Sequence, residues 1–388
     1  MITTGVSGLD ALLEKGIPRG SRVLYSLEPG VDGQIFMISS LACSVKQGLS
    51  CLVIMPSTTV DAFKNDATAM CGSHLDLGKI SRQVVFIDAI DRERIQKSAR
   101  TKKSQAQEWK ARIMRICTEK KVDIIFAYLD LLNEDFGLKT ALDILDCGRA
   151  DARSTLFVEH LNLEGPQFLD RFTREFPFDL VLNIRSSDRP VPYFTYFTLV
   201  HSAQKTVPRS VPFLIRNNRI IPYNPRILIT GPEHSGKSTF VATATEGPRP
   251  VGVSEIDREP VPEDMDYGWM QWRDFTLALY GIPGHIPSDR LIPPTLEHII
   301  GIVLVIDAAD PETFPQARQF IGMIEKKKIP FIIAANKNDL AGKLAPATIR
   351  RELALKKKIP ICPISATKKP DVHAVIDALV DYITQYSA

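Results

Sequence analysis

Short apolar runs alternate with amphipathic stretches throughout the second half of the chain. The apolar runs predict strands over 226–230, 264–272, 274–280, 300–307, 329–335 and 359–365. The amphipathic stretches predict helices over 237–245, 311–326, 346–356 and 371–386. Because the second and third strands are so close in sequence, they predict a hairpin. Strands that alternate with helices indicate an α/β fold with a mostly parallel sheet covered on both faces.

The first half shows a similar alternation. Its apolar runs predict core strands at 23–26, 52–55, 84–87, 122–126 and 180–183. A proline-rich join, Ile221-Pro222-Tyr223-Asn224-Pro225, separates the halves. The residue before a proline avoids helical conformation, so the join predicts a stiff, extended connector. We therefore expect one domain over 1–222 and a second over 223–388.

The composition is that of an ordinary globular protein. The chain has 388 residues, 44% of them hydrophobic and 24% charged, and its net charge of +3 is too small to indicate a nucleic-acid partner. No apolar run approaches the roughly 20 residues that cross a bilayer. The six cysteines are scattered without a C-x-x-C pair, and the first residues begin a structured motif and not a signal peptide. These features predict a cytoplasmic location with reduced thiols, and neither a disulfide framework nor a zinc site.

One short motif after the strand at 226–230 predicts a phosphate-binding loop. The motif reads Gly231, Pro232, Glu233, His234, Ser235, Gly236, Lys237, Ser238 and Thr239. It fits the pattern G-x-x-x-x-G-K-[ST], in which the glycines let backbone N–H groups turn toward the phosphates. Lys237 would reach the β- and γ-phosphate oxygens, and the Ser238 hydroxyl would bind Mg²⁺. The positive end of the following helix would add to the anion site.

Two later motifs predict which base accompanies the phosphates. Asn336, Lys337 and Asp339 follow the strand at 329–335, and Ser365, Ala366 and Thr367 follow the last strand. The Asp339 carboxylate can accept hydrogen bonds from guanine N1–H and N2–H₂, a donor pair that adenine lacks. Lys337 would lie along the base plane, and the Ala366 N–H would reach guanine O6. The predicted ligands are therefore GTP and GDP, together with Mg²⁺.

These motifs, in this order, resemble those of the Ras-like small GTPases. Within that group the sequence is most similar to the bacterial and archaeal branch related to MglA-type switches, and the resemblance covers about residues 224–388. It implies a regulatory switch whose segments 247–268 and 281–291 respond to the γ-phosphate. It also implies a small roadblock- or longin-type protein as the partner that binds these segments.

The second of these segments departs from the family pattern, which normally reads Asp-x-x-Gly-Gln. Here Gly281 replaces the aspartate that holds Mg²⁺ through water. By the resemblance, the Gly284 N–H would meet the γ-phosphate, and His285 would orient the attacking water. Gly284 and His285 are therefore the catalytic candidates. A solvent-facing loop histidine is an equally good interpretation of His285.

The first segment lacks the threonine that the family uses for Mg²⁺ and the γ-phosphate, since none lies between residues 246 and 273. Its acidic residues are alternative metal ligands, although a solvated acidic loop is the favoured interpretation: Glu263, Asp264, Asp266. The nucleotide pocket is intact, but the groups for hydrolysis are incomplete. We therefore expect slow intrinsic turnover and a partner that completes the site.

The opening of the chain, from Thr4 to Ser21, resembles that of KaiC- and RadA-type RecA-like ATPases. The phosphate loop of that family should follow the strand at 23–26. Instead, Gln34 stands where the lysine belongs, and Ile35 where the Mg²⁺-binding hydroxyl belongs. Glu28 and Asp32 add negative charge that would repel a polyphosphate.

Two further parts of the ATPase site are missing. Residues 56–59, Pro-Ser-Thr-Thr, replace a catalytic glutamate pair, and Tyr128 stands near the place of a metal-binding aspartate. The first half is therefore predicted to be a folded RecA-like domain that no longer hydrolyses ATP. By resemblance to ring-forming relatives, it is a candidate regulatory or homo-oligomerisation module.

Two groups of side chains leave alternatives open. The basic stretch 92–121 contains Trp109, but interrupting glutamates favour a solvated helical face over a nucleic-acid surface. Trp269 and Trp272 are expected to share one strand face with Tyr267, either in the core or on an effector surface.

For the whole chain, the regulatory GTPase has two alternatives: a non-hydrolysing guanine-nucleotide sensor or scaffold, and a RecA-type ATPase acting on nucleic acid.

Overall fold

The structure is a computed structural model of the chain. It describes residues 1–13, 16–71, 82–149, 153–165, 169, 172–174, 176–187, 194–202, 209–216, 219–245, 265–284 and 299–386. The chain divides into two compact units: Met1–Ser186 with Thr195–Pro222 forms the first, and Tyr223–Ala388 lies in the second. Within the described residues, no helix is both long and apolar enough to cross a membrane.

The first unit is built on a sheet of mainly parallel strands. Its strands are β1 (Arg22–Leu27), β2 (Cys51–Ile54), β3 (Val84–Ile87), β4 (Ile124–Tyr128), β5 (Thr155–Leu161), β6 (Leu180–Ser187), β7 (Phe194–Ser202), β8 (Arg209–Arg216) and β9 (Arg219–Pro222). Its helices include α1 (Ser7–Leu12), α2 (Gln34–Lys46), α3 (Val60–Cys71), α4 (Ala89–Ser98), α5 (Lys102–Lys120), α6 (Asp130–Phe136) and α7 (Leu138–Asp146).

The strand order of this sheet is β8-β7-β6-β1-β5-β4-β2-β3, and β9 pairs with β8. Strands β6 to β3 along this path pair in parallel. Successive residues of the central strands enter two separate cores, because side chains alternate across a sheet. Val23 packs with helix α2 in one core, and Leu24 packs with Trp109 of helix α5 in the other. Trp109 is therefore a core residue, as expected for a helix with one face in solvent and the other buried.

The second unit has a smaller sheet with the order β15-β14-β13-β10-β12, and β11 pairs with β12. Its strands are β10 (Arg226–Thr230), β11 (Asp266–Trp272), β12 (Phe275–Gly281), β13 (Ile299–Asp307), β14 (Phe331–Asn336) and β15 (Ile361–Pro363). Its helices include α8 (Lys237–Ala244), α9 (Phe314–Lys327), α10 (Pro346–Glu352) and α11 (Lys369–Tyr386). All pairs are parallel except β11 with β12, which form the predicted hairpin.

The expectation that both tryptophans of β11 share a face is wrong. The rings of Tyr267 and Trp269 are in contact, with centroids 5.1 Å apart. Trp272 is an odd number of residues from both, so the two-residue period of a strand turns it to the opposite face. There its indole Nε1 donates a 2.7 Å hydrogen bond to Asp377 of helix α11. Both tryptophans are buried, which agrees with the core interpretation.

Candidate functional site

A cleft of about 430 Å³ lies in the second unit and gathers the predicted loop and base motifs. Its lining residues are His234, Gly236, Lys237, Ser238, Thr239, Asn336, Lys337, Asp339, Leu340, Ser365, Ala366 and Thr367. They come from three connections that follow strands β10, β14 and β15. Since these strands are parallel, their carboxyl ends meet at one edge of the sheet, which is where ligands bind in open α/β folds.

The phosphate loop follows β10, a completely buried strand between β12 and β13. Two of its positions accept only glycine. Gly231 has a φ of 147°, and a Cβ there would lie 2.0 Å from the Val305 carbonyl oxygen. Gly236 has a φ of 96°, and its Cβ would lie 2.2 Å from the Asn336 amide nitrogen. The loop can therefore approach its neighbours closely only because these side chains are absent.

Lys237 begins helix α8 and is buried. Its Nζ donates a 2.7 Å hydrogen bond to the Pro232 carbonyl of the same loop. Burial lowers the pKa of this ammonium, while the negative charges of Glu233 and Asp266 act to raise it. A phosphate at this place would supply the counter-charge that burial demands, so the lysine is suited to an anionic ligand.

Asn336, the last residue of β14, joins the three connections. Its Nδ2 donates to the Ser235 carbonyl at 2.7 Å, and its Oδ1 accepts from the Ala366 N–H at 2.7 Å. Asn336 is buried, so these hydrogen bonds fix the phosphate loop and the last loop at one spacing. The Ala366 N–H, which was expected to reach guanine O6, is engaged by Asn336. The predicted O6 contact would therefore require this bond to be shared or exchanged.

Lys337 is held by an acidic residue that sequence reasoning missed. Its Nζ lies 2.5 Å from Oδ2 of Asp307, which ends strand β13 and is buried. The other carboxylate oxygen, Oδ1, accepts from the Ala309 N–H at 2.9 Å. The ion pair fixes the lysine stem along the wall of the cleft. The only sequence signal for it is a single carboxylate at the end of an otherwise apolar strand.

The remaining base-motif residues lie beside this pair. Asp339 is exposed at the cleft, where its carboxylate can meet a ligand. The hydroxyls of Ser365 and Thr367 are 2.9 Å apart, and the Ser365 N–H donates to Asp371 at 2.8 Å. The last loop is therefore fixed by its own hydrogen bonds, with Asp339 facing the same cleft.

The phosphate end of the site contains Glu233, Ser235 and Gly284. A Cβ on Gly284 would lie 2.8 Å from the Glu233 nitrogen and 3.1 Å from the Gly231 carbonyl oxygen, so this residue packs directly on the phosphate loop. The Gly284 carbonyl accepts from Gln316 at 3.0 Å. The Ser235 hydroxyl is buried and has no hydrogen-bond partner within the described part of the chain. His285, residues 247–264 and residues 286–291 of the two predicted switch segments lie outside the described residues.

Ser238 is the predicted metal ligand of the site. Ser238 is exposed in the first turn of helix α8, at the cleft. Among the described residues, no group of three or more His, Cys, Asp or Glu side chains is arranged to hold a metal ion. Mg²⁺ is normally bound by one or two protein groups together with substrate phosphates, and Ser238 would be one such group.

The corresponding connection of the first unit, between β1 and α2, carries a carboxylate and no lysine. The Glu28 carboxylate accepts a 3.0 Å hydrogen bond from Asn183 of strand β6 and lies 3.8 Å from Arg185. Ile35 is 3% exposed and belongs to the core around α2. A negative charge thus lies at the mouth of the loop, and the residue at the hydroxyl position points into the protein.

Strand β5, which pairs with β1, carries a buried acid near its carboxyl end that was not predicted. Glu159 is 5% exposed, and its Oε2 has no hydrogen-bond partner among the residues that the structure describes. Burial, with the nearby Asp130 charge, raises its pKa to about 8. The next residue, His160, has its Nδ1 2.5 Å from the Asp130 carboxylate. Glu159 is therefore mainly neutral at pH 7, and its protonation contributes to the stability of this edge.

Comparisons with known proteins separate the two units. Residues 2–130 match the family model of the KaiC ATPases, and residues 256–385 match that of the elongation factor Tu GTP-binding domain. Among solved structures, a KaiC-like protein from the hyperthermophilic archaeon Pyrococcus horikoshii OT3 is similar at 14% identity and a TM-score of 0.46. The match covers 57% of this chain and 98% of the archaeal one. The chain therefore carries a KaiC-like ATPase domain followed by a GTP-binding domain of the elongation factor Tu type, both of the P-loop NTPase class.

Proposed function

We propose that this protein is a guanine-nucleotide-dependent regulator that binds GTP or GDP in its second unit. The observation that carries the proposal is the position of Asn336, which ties the phosphate loop to the last loop within the cleft that Asp339 also lines. Phosphate-binding and base-reading groups are thereby held at a fixed separation, as a nucleotide requires.

The selectivity for guanine follows from the chemistry of Asp339. An exposed carboxylate at the base end can accept from two N–H groups of guanine, and it would face an acceptor nitrogen in adenine. The pair of Lys337 and Asp307 fixes the neighbouring wall, against which the base plane would lie. Discrimination therefore arises because the wrong base leaves a charged acceptor without its donors.

The hydrolytic part of the site supports slow turnover. When bound, Mg²⁺ would neutralise the charge that develops between the β- and γ-phosphates, with Ser238 as one of its ligands. Gly281 offers no carboxylate at the usual position, and Gly284 packs on the phosphate loop. We infer that His285 orients water in the hydrolytic state and that a protein partner completes the site. By resemblance to the MglA-related branch, this partner is of the roadblock or longin type and binds the switch segments.

The first unit would report or propagate the nucleotide state without consuming ATP. Its loop carries Glu28 and lacks a lysine, so it offers a polyphosphate negative charge where a cation is needed. A retained RecA-like fold with an inert site is suited to regulation or to self-association.

A second candidate is a guanine-nucleotide sensor that never hydrolyses its ligand. The observation that favours it is the absence of a side chain at Gly281, together with the missing threonine in the first switch segment. The rate of GTP hydrolysis separates the two candidates. The regulatory GTPase is expected to turn over more slowly than about 1 s⁻¹ alone and faster with its partner, whereas the sensor would show no hydrolysis in either case.

Competition of GTP, GDP and ATP against a fluorescent GDP analogue on the intact chain tests the binding claim. We expect GTP and GDP to compete and ATP to fail. Asp339→Asn should shift the preference from guanine to xanthine nucleotides by at least about 100-fold, because an amide can donate to the 2-oxo group. An unchanged guanine preference in this variant would remove Asp339 from the base site.

A further inference from the structure

A cavity of about 800 Å³, which we call the amino-edge cavity, lies in the first unit where strands β1, β4 and β5 begin. Its lining residues come from the turn before β1, the end of helix α5, the connections into β4 and β5, and the 3₁₀ turn Cys147–Arg149. Because parallel neighbouring strands bring their amino ends to one edge of a sheet, these segments surround one space although they are distant in sequence. The volume is that of a typical small-molecule site.

Hydrogen bonds between the walls hold this cavity in shape. The Ser154 hydroxyl, which is buried, donates to the Val122 carbonyl at 2.7 Å. The Asp123 carboxylate accepts from the Ser50 N–H at 3.0 Å and from the Arg19 guanidinium at 3.1 Å. The acidic side chain among the described lining residues is therefore already paired with donors of the protein, and its charge is balanced by Arg19.

Sulfur-containing side chains form part of the lining. Met114 and Cys117 lie on helix α5, and Cys147 begins the 3₁₀ turn. The Cys147 thiol donates to the Ile144 carbonyl at 3.0 Å. Burial raises the pKa of Cys117 to about 11 and that of Cys147 to about 12, so both thiols are neutral at pH 7. A neutral surface of thiols and a thioether suits an apolar group.

Two further lining residues are cations, Lys121 and Arg153. Both are exposed, and neither forms an ion pair with any residue that the structure describes. Lys121 follows the last residue of α5, and Arg153 lies two residues before strand β5. Unpaired positive charges next to a neutral, polarisable surface are complementary to an anion that carries an apolar body.

We propose that the amino-edge cavity binds a small organic anion, with one carboxylate or sulfonate group on an aromatic or other apolar body. The anionic group would lie at Lys121 and Arg153, and the apolar body against Met114, Cys117 and Cys147. The site is separate from the proposed nucleotide site, because all of its lining residues belong to the first unit. The proposal therefore does not depend on guanine-nucleotide binding.

The test uses 8-anilinonaphthalene-1-sulfonate, an aromatic sulfonate whose fluorescence rises in an apolar environment, as the probe on the intact chain. We expect one probe per chain. Lys121→Glu combined with Arg153→Glu should weaken binding at least about 10-fold, because the sulfonate would meet two like charges in place of two cations. The matched control is Lys102→Glu with Lys103→Glu, which makes the same change in charge at the other end of α5 and should bind as the parent does.

A second variant tests the space and leaves the charges in place. Thr118 is an exposed lining residue whose hydroxyl donates to the Met114 carbonyl of the preceding turn. Thr118→Trp should fill the cavity and prevent probe binding. Thr68→Trp on helix α3 replaces an exposed threonine with the same kind of hydroxyl bond, to the Lys64 carbonyl, and should leave binding unchanged.

Thiol labelling locates the bound probe independently of any variant. Mass spectrometry of the parent treated with N-ethylmaleimide gives the labelling rate of each cysteine. With the probe present, labelling of Cys117 and Cys147 should slow at least about 3-fold, while Cys43 on helix α2 should be labelled at its original rate. If Thr118→Trp does not fold, the charge-reversed pair and the labelling rates decide the matter.

Four results would overturn the proposal. The first is the absence of one-to-one probe binding by the parent up to about 1 mM. The second is parent-like binding in the charge-reversed pair or in a folded Thr118→Trp variant. The third is equal weakening in the Lys102 and Lys103 control, since general attraction to a basic protein would then explain the binding. The fourth is unchanged labelling of Cys117 and Cys147 at saturating probe.

Discussion

The two units place the same strand–loop–helix connection on a central parallel strand, yet only the loop after β10 carries a lysine. The loop after β10 presents Lys237 and leaves room for a ligand beside it. The loop after β1 holds Glu28 against Asn183 and buries Ile35 in the core. From this difference we infer that the fold rests on apolar strands and helix packing, whereas the proposed ligand binding rests on a few polar side chains in the loop.

The largest effect is expected from Lys237→Ala. Loss of a charged hydrogen bond to phosphate should weaken GDP binding by about 100-fold or more. Lys326→Ala, on an exposed position of helix α9, is the matched control and should leave the affinity unchanged. Isothermal titration of GDP into each variant measures the effect. If Lys237→Ala binds GDP with the affinity of the parent, this lysine does not distinguish the two loops.

Asn336→Ala removes the side chain that links the phosphate loop of the second unit to its last loop. The change would leave the Ser235 carbonyl and the Ala366 N–H buried without partners, at about 1–3 kcal/mol each. We expect GDP affinity to fall about 10- to 100-fold, together with a lower thermal midpoint. Asn338→Ala, two positions further along, should change neither quantity.

Glu159→Gln tests the acidic edge of the first unit. Because its folded-state pKa of about 8 lies above the ordinary glutamate value of 4.5, the folded state holds the proton longer than the unfolded chain does. The stabilisation is therefore complete below about pH 4.5 and is lost as the pH rises to about 8, by up to about 1.4 kcal/mol per pH unit. Asp130, whose charge also raises this pKa, remains in the variant.

Amide hydrogen exchange in strands β4 and β5, measured at pH 5, 6.5 and 8, reports this loss of stability for the first unit alone. The Glu159→Gln variant should flatten the pH dependence, and the exposed Glu164→Gln should keep it. If hydrogen exchange changes with pH equally in both variants and the parent, Glu159 is not the cause of the pH dependence.

The smallest effect is expected from Gln34→Lys, which returns only the missing lysine to the first loop. Glu28 would still repel the phosphates, and Ile35 would still be buried in place of a metal-binding hydroxyl. ATP binding should therefore remain undetectable up to about millimolar concentration. Micromolar binding of ATP by this variant would show that the missing lysine alone accounts for the difference between the two loops.

Sequence alone predicted most strands to within a few residues, because apolar runs bounded by polar residues define them locally. The strand predicted over 226–230 and the hairpin before residue 281 are examples. The order of the strands and the partners of single polar residues depend on contacts distant in sequence. Trp272 was assigned to the wrong face although the two-residue period of the strand was available to place it.

The candidate site was predictable where a motif has fixed spacing, as from Gly231 to Thr239. It was not predictable where one residue acts across the fold. Asp307 meets Lys337 only because β13 and β14 are neighbours in the sheet. Such pairs have no local pattern, since the two partners are set by tertiary structure.

The most direct test of the contrast between the loops is the number of nucleotides bound per chain, measured at saturating GDP and at saturating ATP with Mg²⁺. We expect one GDP and no ATP per chain, and GDP binding that is about 100-fold weaker or more once Lys237 is replaced by alanine. Binding of ATP, or a second guanine nucleotide that persists in Lys237→Ala, would contradict this expectation, because the first loop would then be a working site despite Glu28 and Gln34.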